Sequence, residues 1–389
     1  MIPYGRQEIT EDDVAEVEKV LRSDFLTQGP TVPKFEKNIS DYCGSSNAVA
    51  VNSATSALHI ACLALGLDKG DYLWTSPNTF VASANCARYC GAEVDFVDIN
   101  PNTYNISVDA LSEKLKKAEQ DGKLPKIVVP VHFAGQPCEM PAIHKLSKKY
   151  GFKIIEDASH AIGASYNQIK VGSCKHSDIT VFSFHPVKIV TTGEGGMALT
   201  NNNDLAGKMH RLRTHGITND KLLMHQRPKN EIWNYQQIEL GFNYRMNDIQ
   251  AALGLSQMNR LDEYIKIRHK IAEVYDKKFF NLPIKTPWKS SDYYSSYHLY
   301  PIRIKEDLNL KTQKEIYKEL WKKGIAVNLH YVPVHRQPYY ENLGFKKKTF
   351  PESEKFHRET ISLPMFPTLT NKLQKFVIDT VTKVIKKYE

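Results

Sequence analysis

The amino-acid sequence predicts an α/β fold, with a large, mostly parallel sheet domain followed by a smaller C-terminal α/β domain. Strand-like apolar runs alternate with helix-like runs through the first two-thirds of the 389 residues, a pattern typical of a parallel sheet covered by helices on both faces. After about Met246 a long helical stretch replaces this alternation. We therefore expect an N-terminal arm over residues 1–30, a large domain over 31–246, and a linking helix with the small domain over 247–389.

The elements of the large domain are short. A helix over residues 55–65 is predicted from apolar residues at helical spacing, directly after the first strand. The last two strands lie close together, with only a polar, glycine-containing loop between them. The predicted strands cover residues 48–52, 72–75, 93–97, 126–131, 152–156, 179–184 and 196–200.

The last third of the chain predicts a long helix over residues 248–280, broken near Gly254 or Asn259. A segment rich in proline, serine and tyrosine follows it. The remaining predicted elements are strands over 297–304 and 325–329 and a closing helix with an apolar face over 377–385.

Composition and charge limit the class of protein. Hydrophobic residues make up 41% and charged residues 24% of the chain, as in ordinary globular proteins. The sequence has no long apolar run of membrane-spanning type and no signal-like N-terminus, so we expect a cytoplasmic protein. The net charge is +9, but the basic residues are scattered among acidic ones. This pattern argues against nucleic acid or membrane binding and is compatible with a small anionic substrate.

Cysteine and histidine spacing gives no sign of a metal site. The six cysteines include no C-x-x-C pair and no zinc-type spacing, so we expect buried, reduced thiols. His330 and His335 are close in sequence, but Pro333 lies between them and no carboxylate is near.

Polar residues follow three of the predicted strands. The first set is the small-residue turn over 52–57, where hydroxyl side chains and the free N–H groups of a helix start suit a phosphate. An ordinary serine or threonine N-cap is the alternative interpretation.

The second set follows the apolar strand that leads to Asp157. A carboxylate at a buried strand end needs a cation or several hydrogen bonds, so Asp157 would suit a protonated ring nitrogen. His160 would then lie against a planar ligand. The alternative is a helix-capping aspartate beside a core histidine.

The third set contains Lys188, which follows the strand over 179–184 and precedes a glycine-rich turn. Partial burial there would lower the pKa of the amine and make it a better nucleophile toward carbonyl groups. The alternative is an exposed loop lysine. Together, a phosphate turn, an acid for a ring nitrogen, a ring neighbour and a nucleophilic lysine are the parts that pyridoxal 5′-phosphate (PLP) requires.

At these residues the sequence resembles the DegT/DnrJ/EryC1 family of PLP-dependent nucleotide-sugar aminotransferases, which implies the fold type I (aspartate aminotransferase-like) architecture. The resemblance extends over the whole chain. The segments on which it rests are residues 26–29, 52–58, 156–161, 182–188, 193–196 and 241–246.

This resemblance implies a role for each matching residue. Lys188 would bond to the cofactor and then move the proton between the cofactor and the sugar carbon, and Asp157 would pair with the pyridine nitrogen. His160 and Phe80 would flank the ring, although Phe80 could also be a core aromatic. The implied phosphate contacts are Thr55, Ser56 and Ser183, with Asn243 from the partner subunit of a homodimer.

Within the family, the segments over 2–7, 23–30, 185–188 and 330–335 are similar to the transaminases of pseudaminic acid biosynthesis. That likeness implies a UDP-linked 2-acetamido-4-keto-6-deoxy sugar as substrate and L-glutamate as amino donor, with amination at C4. The candidate sugar contacts are Tyr4, Gln28, His330 and Tyr331.

Three alternative functions remain at this level. Sugar dehydratases of the family have histidine in place of the lysine, so Lys188 argues against that activity. An aminotransferase acting on a bacillosamine, perosamine, viosamine or arabinose precursor is a closer alternative. A non-catalytic regulator on the same fold is the third, because a fold alone does not establish a function.

Overall fold

A seven-stranded sheet forms the centre of the larger domain in the computed structural model, which describes residues 1–226, 231, 234–304 and 310–388. In chain order the strands are β1 Ile2–Pro3, β2 Asn47–Val51, β3 Tyr72–Thr75, β4 Glu93–Phe96, β5 Ile127–Val129, β6 Lys153–Asp157, β7 Ser165–Tyr166, β8 Ile169–Lys170, β9 Ile179–Ser183, β10 Gly196–Thr200, β11 Ile217–Thr218, β12 Gln236–Gln237, β13 Ile284–Lys285, β14 Tyr293–Tyr294, β15 Tyr300–Ile304, β16 Ile325–Ala326 and β17 Thr360–Leu363. The order in the large sheet is β2-β10-β9-β6-β5-β3-β4, and only β10 runs antiparallel to its neighbours. The predicted mostly parallel sheet is confirmed.

Helices cover both faces of this sheet. In chain order they are α1 Glu11–Leu21, α2 Thr31–Cys43, α3 Ala54–Ala64, α4 Ala82–Tyr89, α5 Val108–Gln120, α6 Met140–Tyr150, α7 Asn203–Leu212, α8 Asp248–Met258, α9 Leu261–Phe279, α10 Leu310–Lys322, α11 Pro338–Asn342, α12 Pro351–Glu359 and α13 Asn371–Lys386. Neighbouring residues of β9 illustrate the double burial, since Val181 and Phe182 belong to two different hydrophobic clusters. Successive strand residues point to opposite faces, so an apolar strand of this kind needs helices on both sides.

The long helix predicted after Met246 is two helices. α8 ends at Met258 and α9 begins at Leu261, so the break at Asn259 is confirmed. Gly254 lies inside α8, and a break there is wrong. A Cβ atom at Gly254 would lie 2.6 Å from the ring of Phe35, so the glycine allows close packing of α8 on α2.

A smaller antiparallel sheet with the order β13-β15-β17 lies in the C-terminal part, packed against α9, α10 and α13. The strand predicted over 297–304 begins only at Tyr300, because Tyr297 has a left-handed φ of 45° that bends the chain. The strand predicted over 325–329 ends at Ala326. Its chain turns there, as the N–H of Val327 donates to the carbonyl of Ile325.

The N-terminal segment contacts both parts of the molecule. β1 pairs in parallel with β16 of the C-terminal part, whereas α1 packs on α8. The buried Asp13 of α1 accepts hydrogen bonds from Gln257 and Arg260, each at 2.7 Å. The ranges expected for the arm and the two domains stay predictions.

Two observations concern the chain as a whole. All six cysteines lie in the described part of the chain, where they are buried and unpaired. No helix among the described residues has the length and apolar character needed to span a bilayer.

Candidate active site

A cavity of about 390 Å³ lies where the carboxyl ends of the large sheet's strands meet the C-terminal part of the chain. Ligands of open α/β sheets bind at this edge. The N-terminal segment and residues 298 and 328–331 form the opposite wall. The predicted site residues that line the cavity are Tyr4, Thr55, Phe80, Asp157, His160, Ser183, Lys188, His330 and Tyr331.

The turn between β2 and α3 presents a helix start to the cavity. Ser53 caps α3 by accepting a hydrogen bond from the N–H of Ser56 at 3.1 Å, and Thr55 lines the cavity. The hydroxyl of Ser56 donates to Asn52 at 2.7 Å, so both donors of Ser56 already have protein acceptors and its predicted phosphate contact stays a prediction. Ser183 lines the same cavity from the end of β9. Two hydroxyl side chains and a helix N-terminus suit a phosphate group.

Asp157 is the last residue of β6 and is buried at the cavity wall. One carboxylate oxygen accepts from the hydroxyl of Ser83 at 2.6 Å, and the other accepts from the N–H of Ser159 at 3.1 Å. No ion pair to Asp157 is formed by the described residues. A buried carboxylate held by neutral donors fits a protonated ring nitrogen, which would supply the missing positive charge.

Glu156, one residue earlier, faces the other side of the sheet. Its carboxylate accepts from Nε2 of His132 at 2.8 Å and from the hydroxyl of Thr180 at 3.0 Å. Burial acts to raise the pKa of Glu156, but these hydrogen bonds outweigh it and hold the pKa below its usual value. The strand alternation therefore assigns only Asp157 to the cavity.

Lys188 lies in the loop after β9 and lines the same cavity. Burial lowers the pKa of its amine to about 8, although the nearby charge of Asp157 acts in the opposite direction. A larger fraction of neutral amine at pH 7 makes the side chain a better nucleophile toward an aldehyde. This environment differs from that of an ordinary exposed loop lysine.

His160 is a neutral imidazole with both nitrogens occupied. Nδ1 accepts from the N–H of Ala134 at 3.2 Å, so the proton is assigned to Nε2, which lies 3.1 Å from the hydroxyl of Tyr331. Burial and the charge of Lys188 hold the pKa of His160 well below its usual value. Phe80 lines the cavity too, and it is 58% exposed, so the interpretation of Phe80 as a core aromatic is wrong.

Three predicted site residues do not line this cavity, namely Ser56, Gln28 and Asn243. Gln28 is exposed in the loop before α2, where it has a left-handed φ of 55°. Asn243 is exposed and bridges to Thr214. Because Asn243 was predicted to act on the partner subunit's cofactor, its outward position leaves that prediction open.

The sequence did not predict three polar residues of this region. Ser83 holds Asp157 from α4, and His298 and Asn328 line the cavity. His298 lay inside a predicted strand. A histidine inside an otherwise apolar predicted strand was the one sign of a site residue. The orientation of its side chain, however, depends on the bend at Tyr297, which the sequence does not show.

Comparison with known proteins identifies the family of this chain. Residues 7–382 match the model of the DegT/DnrJ/EryC1/StrS aminotransferase family. The chain belongs to this family. It is therefore a PLP-dependent sugar aminotransferase of fold type I, as predicted.

Individual relatives agree with the family match. The UDP-4-amino-4,6-dideoxy-N-acetyl-beta-L-altrosamine transaminase of Campylobacter jejuni subsp. jejuni serotype O:2 is 39% identical over 389 residues, which cover 100% of this chain and 98% of the relative. The structure of PseC from Helicobacter pylori, an aminotransferase of pseudaminic acid biosynthesis, has a TM-score of 0.91 and 31% identity, with 100% of both chains covered. Spr1654 of Streptococcus pneumoniae, described as a sugar aminotransferase and solved in its PMP form, has a TM-score of 0.90 and 30% identity, also with 100% of both chains covered.

Proposed function

We propose that this enzyme is a cytoplasmic transaminase of pseudaminic acid biosynthesis. It would transfer the amino group of L-glutamate to C4 of UDP-2-acetamido-2,6-dideoxy-4-keto-β-L-arabino-hexose. The product would be UDP-4-amino-4,6-dideoxy-N-acetyl-β-L-altrosamine. The observation that supports this substrate most directly is the whole-length similarity to the Campylobacter jejuni transaminase.

The residues of the cavity support the chemistry of amino-group transfer. When bound, PLP supplies an electron-withdrawing ring that stabilises the charge left when a substrate carbon loses its proton. Lys188, whose amine has a pKa lowered to about 8, would take that proton and return it. Asp157 would hold the ring nitrogen protonated, and Thr55 and Ser183 would hold the phosphate.

Hydrogen bonds to Ala134 and Tyr331 fix the orientation of the His160 ring, which we expect to lie against the bound cofactor. The Ala134 N–H fixes the tautomer of His160, and its Nε2 proton is directed to Tyr331. Phe80 lines the same cavity, and its ring centroid lies 6.1 Å from that of Tyr331. Both rings lie in the same chain as Lys188.

We further propose that the active form is a homodimer in which Asn243 contacts the cofactor of the partner subunit. The exposure of Asn243 outside its own cavity supports this assignment. Two large apolar side chains are also exposed, Phe80 of the cavity at 58% and Leu240, three residues before Asn243, at 78%. Such side chains favour contact with another protein surface.

The substrate is tested by supplying the holoenzyme with L-glutamate and each of two UDP-4-keto-6-deoxy sugars, the β-L-arabino and the α-D-xylo isomers. Products are identified by mass spectrometry and NMR. We expect amination of the β-L-arabino sugar alone. Lys188→Ala serves as the inactive control, because it lacks the proposed proton carrier.

Preference for the α-D-xylo isomer would contradict the substrate and favour an enzyme of the bacillosamine type. If wild-type enzyme aminates neither isomer but reacts with L-glutamate, only the proposed sugar is wrong. The reaction with L-glutamate therefore distinguishes a wrong sugar substrate from a wrong assignment of the amino-transfer chemistry.

A further inference from the structure

The cavity wall opposite the large sheet has polar but uncharged side chains. Its polar members are Tyr4, His298, Asn328, His330 and Tyr331. Burial lowers the pKa of His330 to about 3 and holds that of His298 well below its usual value, so both imidazoles are neutral at pH 7. Burial also raises the pKa of Tyr4 and of Tyr331. Neutral hydrogen-bonding groups of this kind match the hydroxyl and carbonyl oxygens of a hexose.

The three imidazoles around this wall differ in their remaining hydrogen-bonding capacity. In His160, Nδ1 and Nε2 lie 3.2 Å and 3.1 Å from protein partners. In His330, Nδ1 lies 2.9 Å from the hydroxyl of Ser362, and Nε2 lies 3.4 Å from the amide nitrogen of Asn328. His298 differs, since its Nδ1 is buried without a hydrogen-bond partner in the described part of the chain.

Contacts of its backbone hold His298 at the cavity wall. The guanidinium of the buried Arg268 donates to the carbonyls of Tyr297 and His298, at 3.1 and 3.3 Å. Tyr297 has a left-handed φ of 45°, and the hydroxyl of Ser296 donates to the carbonyl of His160 at 2.9 Å. Left-handed conformations of non-glycine residues are costly and are concentrated at ligand sites.

The imidazole ring also packs against a residue of the cofactor site. Its centroid lies 4.4 Å from that of His160. His298 therefore connects the neutral wall to His160, in the same cavity that Lys188 lines. Nδ1 is enclosed by protein atoms, so the nitrogen of His298 that can reach a ligand in the cavity is Nε2, which has no hydrogen-bond partner among the described residues.

We propose that His298 binds the sugar part of the nucleotide-sugar substrate, through a hydrogen bond between its imidazole and an uncharged oxygen of the hexose. This inference rests on the proposed function. A neutral imidazole adds no positive charge, so it favours an uncharged oxygen over the carboxylates of the amino donor. His330, both of whose nitrogens have protein partners, would instead support the wall.

The test compares two half-reactions of the holoenzyme, followed by cofactor absorbance in single turnovers. One uses the UDP-4-keto-6-deoxy sugar that wild-type enzyme accepts, and the other uses L-glutamate. His298→Phe keeps a ring against His160 but removes the nitrogens. We expect the ratio of the sugar rate constant to the glutamate rate constant to fall about tenfold or more in this variant. His298→Asn keeps a neutral donor and acceptor, and we expect it to restore most of the ratio.

His144→Phe is the matched control. His144 is a half-buried histidine outside the cavity, whose Nδ1 lies 3.2 Å from the carbonyl of His176. Its substitution should leave the ratio at the wild-type value. If His298→Phe does not retain PLP, His298→Leu removes the same nitrogens.

An unchanged ratio in His298→Phe would overturn the proposal. An equal loss in both half-reactions, with altered cofactor absorbance, would also overturn it and indicate an effect through His160. If wild-type enzyme accepts neither keto-sugar, the proposed function fails and this inference fails with it. If wild-type enzyme accepts the sugar and the ratio of rate constants is unchanged in His298→Phe, this inference is wrong and the proposed function stands.

Discussion

Adjacent carboxylates in β6 have different environments because strand residues alternate between the two faces of a sheet. Asp157 faces the cavity with neutral donors, Ser83 and Ser159, whereas Glu156 faces His132 on the other side. The same chemical group, a carboxylate, therefore lines the cavity in one case and packs against the other side of the sheet in the other. Substitution can separate these two effects.

Asp157→Asn should lower kcat by about 10²–10⁴-fold with little change in Tm, because asparagine keeps the size but loses the charge that stabilises a protonated ring nitrogen. Steady-state kinetics and thermal unfolding measure both quantities. Glu156→Gln is the matched control, in which we expect a loss of about 1–3 kcal/mol in the free energy of unfolding and a smaller effect on kcat. Equal losses of kcat in the two variants would contradict the assignment of Asp157.

The environment of Lys188 predicts a pH dependence for PLP capture by the apoprotein. Only the neutral amine attacks the aldehyde, and burial lowers the pKa from 10.5 to about 8. The capture rate should therefore rise with pH, with a midpoint near 8 and a plateau above it. Stopped-flow absorbance measures this rate.

Asp157→Asn provides a check on the sign of this effect. The negative charge of Asp157 acts to raise the pKa of Lys188, so its removal should shift the midpoint to lower pH. A wild-type midpoint near 10.5 would show that burial does not lower the pKa of this amine.

At the scale of elements, β10 determines how closely the sheet approaches the start of α3. β10 is antiparallel to β2, and Gly196 pairs with Val51 just before the turn over residues 52–57, which we propose binds the phosphate. A Cβ atom at Gly196 would lie 2.5 Å from the backbone of Ser53 and Ala54. Since backbone atoms cannot rotate away as a side chain does, the turn itself would have to move.

Gly196→Ala should weaken PLP binding about tenfold or more, equivalent to about 1.4 kcal/mol, because it displaces the N–H groups of the phosphate turn. Equilibrium titration of the apoenzyme with PLP measures this constant. Gly207→Ala in α7 is the control, because its nearest contact is at 3.7 Å and alanine favours helices. Unchanged PLP affinity in Gly196→Ala would show that the turn tolerates the shift.

At the scale of the whole molecule, one cavity is assembled from distant parts of the chain. Tyr4 comes from the N-terminal segment, Lys188 from the large sheet, and His298 and Tyr331 from the C-terminal part. β1 brings Tyr4 into place by pairing with β16, and the carbonyl of Tyr4 accepts from the N–H of Met365 at 2.8 Å. Asn243 is exposed and does not line its own cavity, which is compatible with a site completed by a second copy.

The homodimer with shared sites predicts complementation between inactive variants. Lys188→Ala and Asn243→Ala should each be impaired alone. In a mixed dimer one site carries both substitutions and the other carries neither, so random mixing should give active sites in about one quarter of the total. Activity is measured after the two variants are mixed, partly unfolded and refolded together.

Two results would contradict this model of the dimer. A monomeric mass by light scattering for the active enzyme would exclude a shared site. A mixture that shows only the summed activities of the two variants would place Asn243 outside the partner's site. Wild-type enzyme treated in the same way controls for losses on refolding.

Much of the fold followed from local patterns. Apolar β-rich runs and helical spacing predicted the strands of the large sheet within one or two residues, because burial on both faces requires continuous apolar strands. The two strand errors in the last third arose where long-range contacts override local preference. Tyr297 is bent by its packing beside Arg268, and Asn328 bridges to Ser362 instead of continuing β16.

The sequence by itself determined the chemistry of the site, since Asp157 and Lys188 occur in motifs whose order and residue types match one family of aminotransferases. Tertiary structure alone decided which side chains still have a hydrogen bond to offer the ligand. His330 is saturated and His298 is not, and Ser56 turns to Asn52 while Thr55 faces the cavity. Such differences depend on partners far away in the chain, and no local pattern of residues contains them.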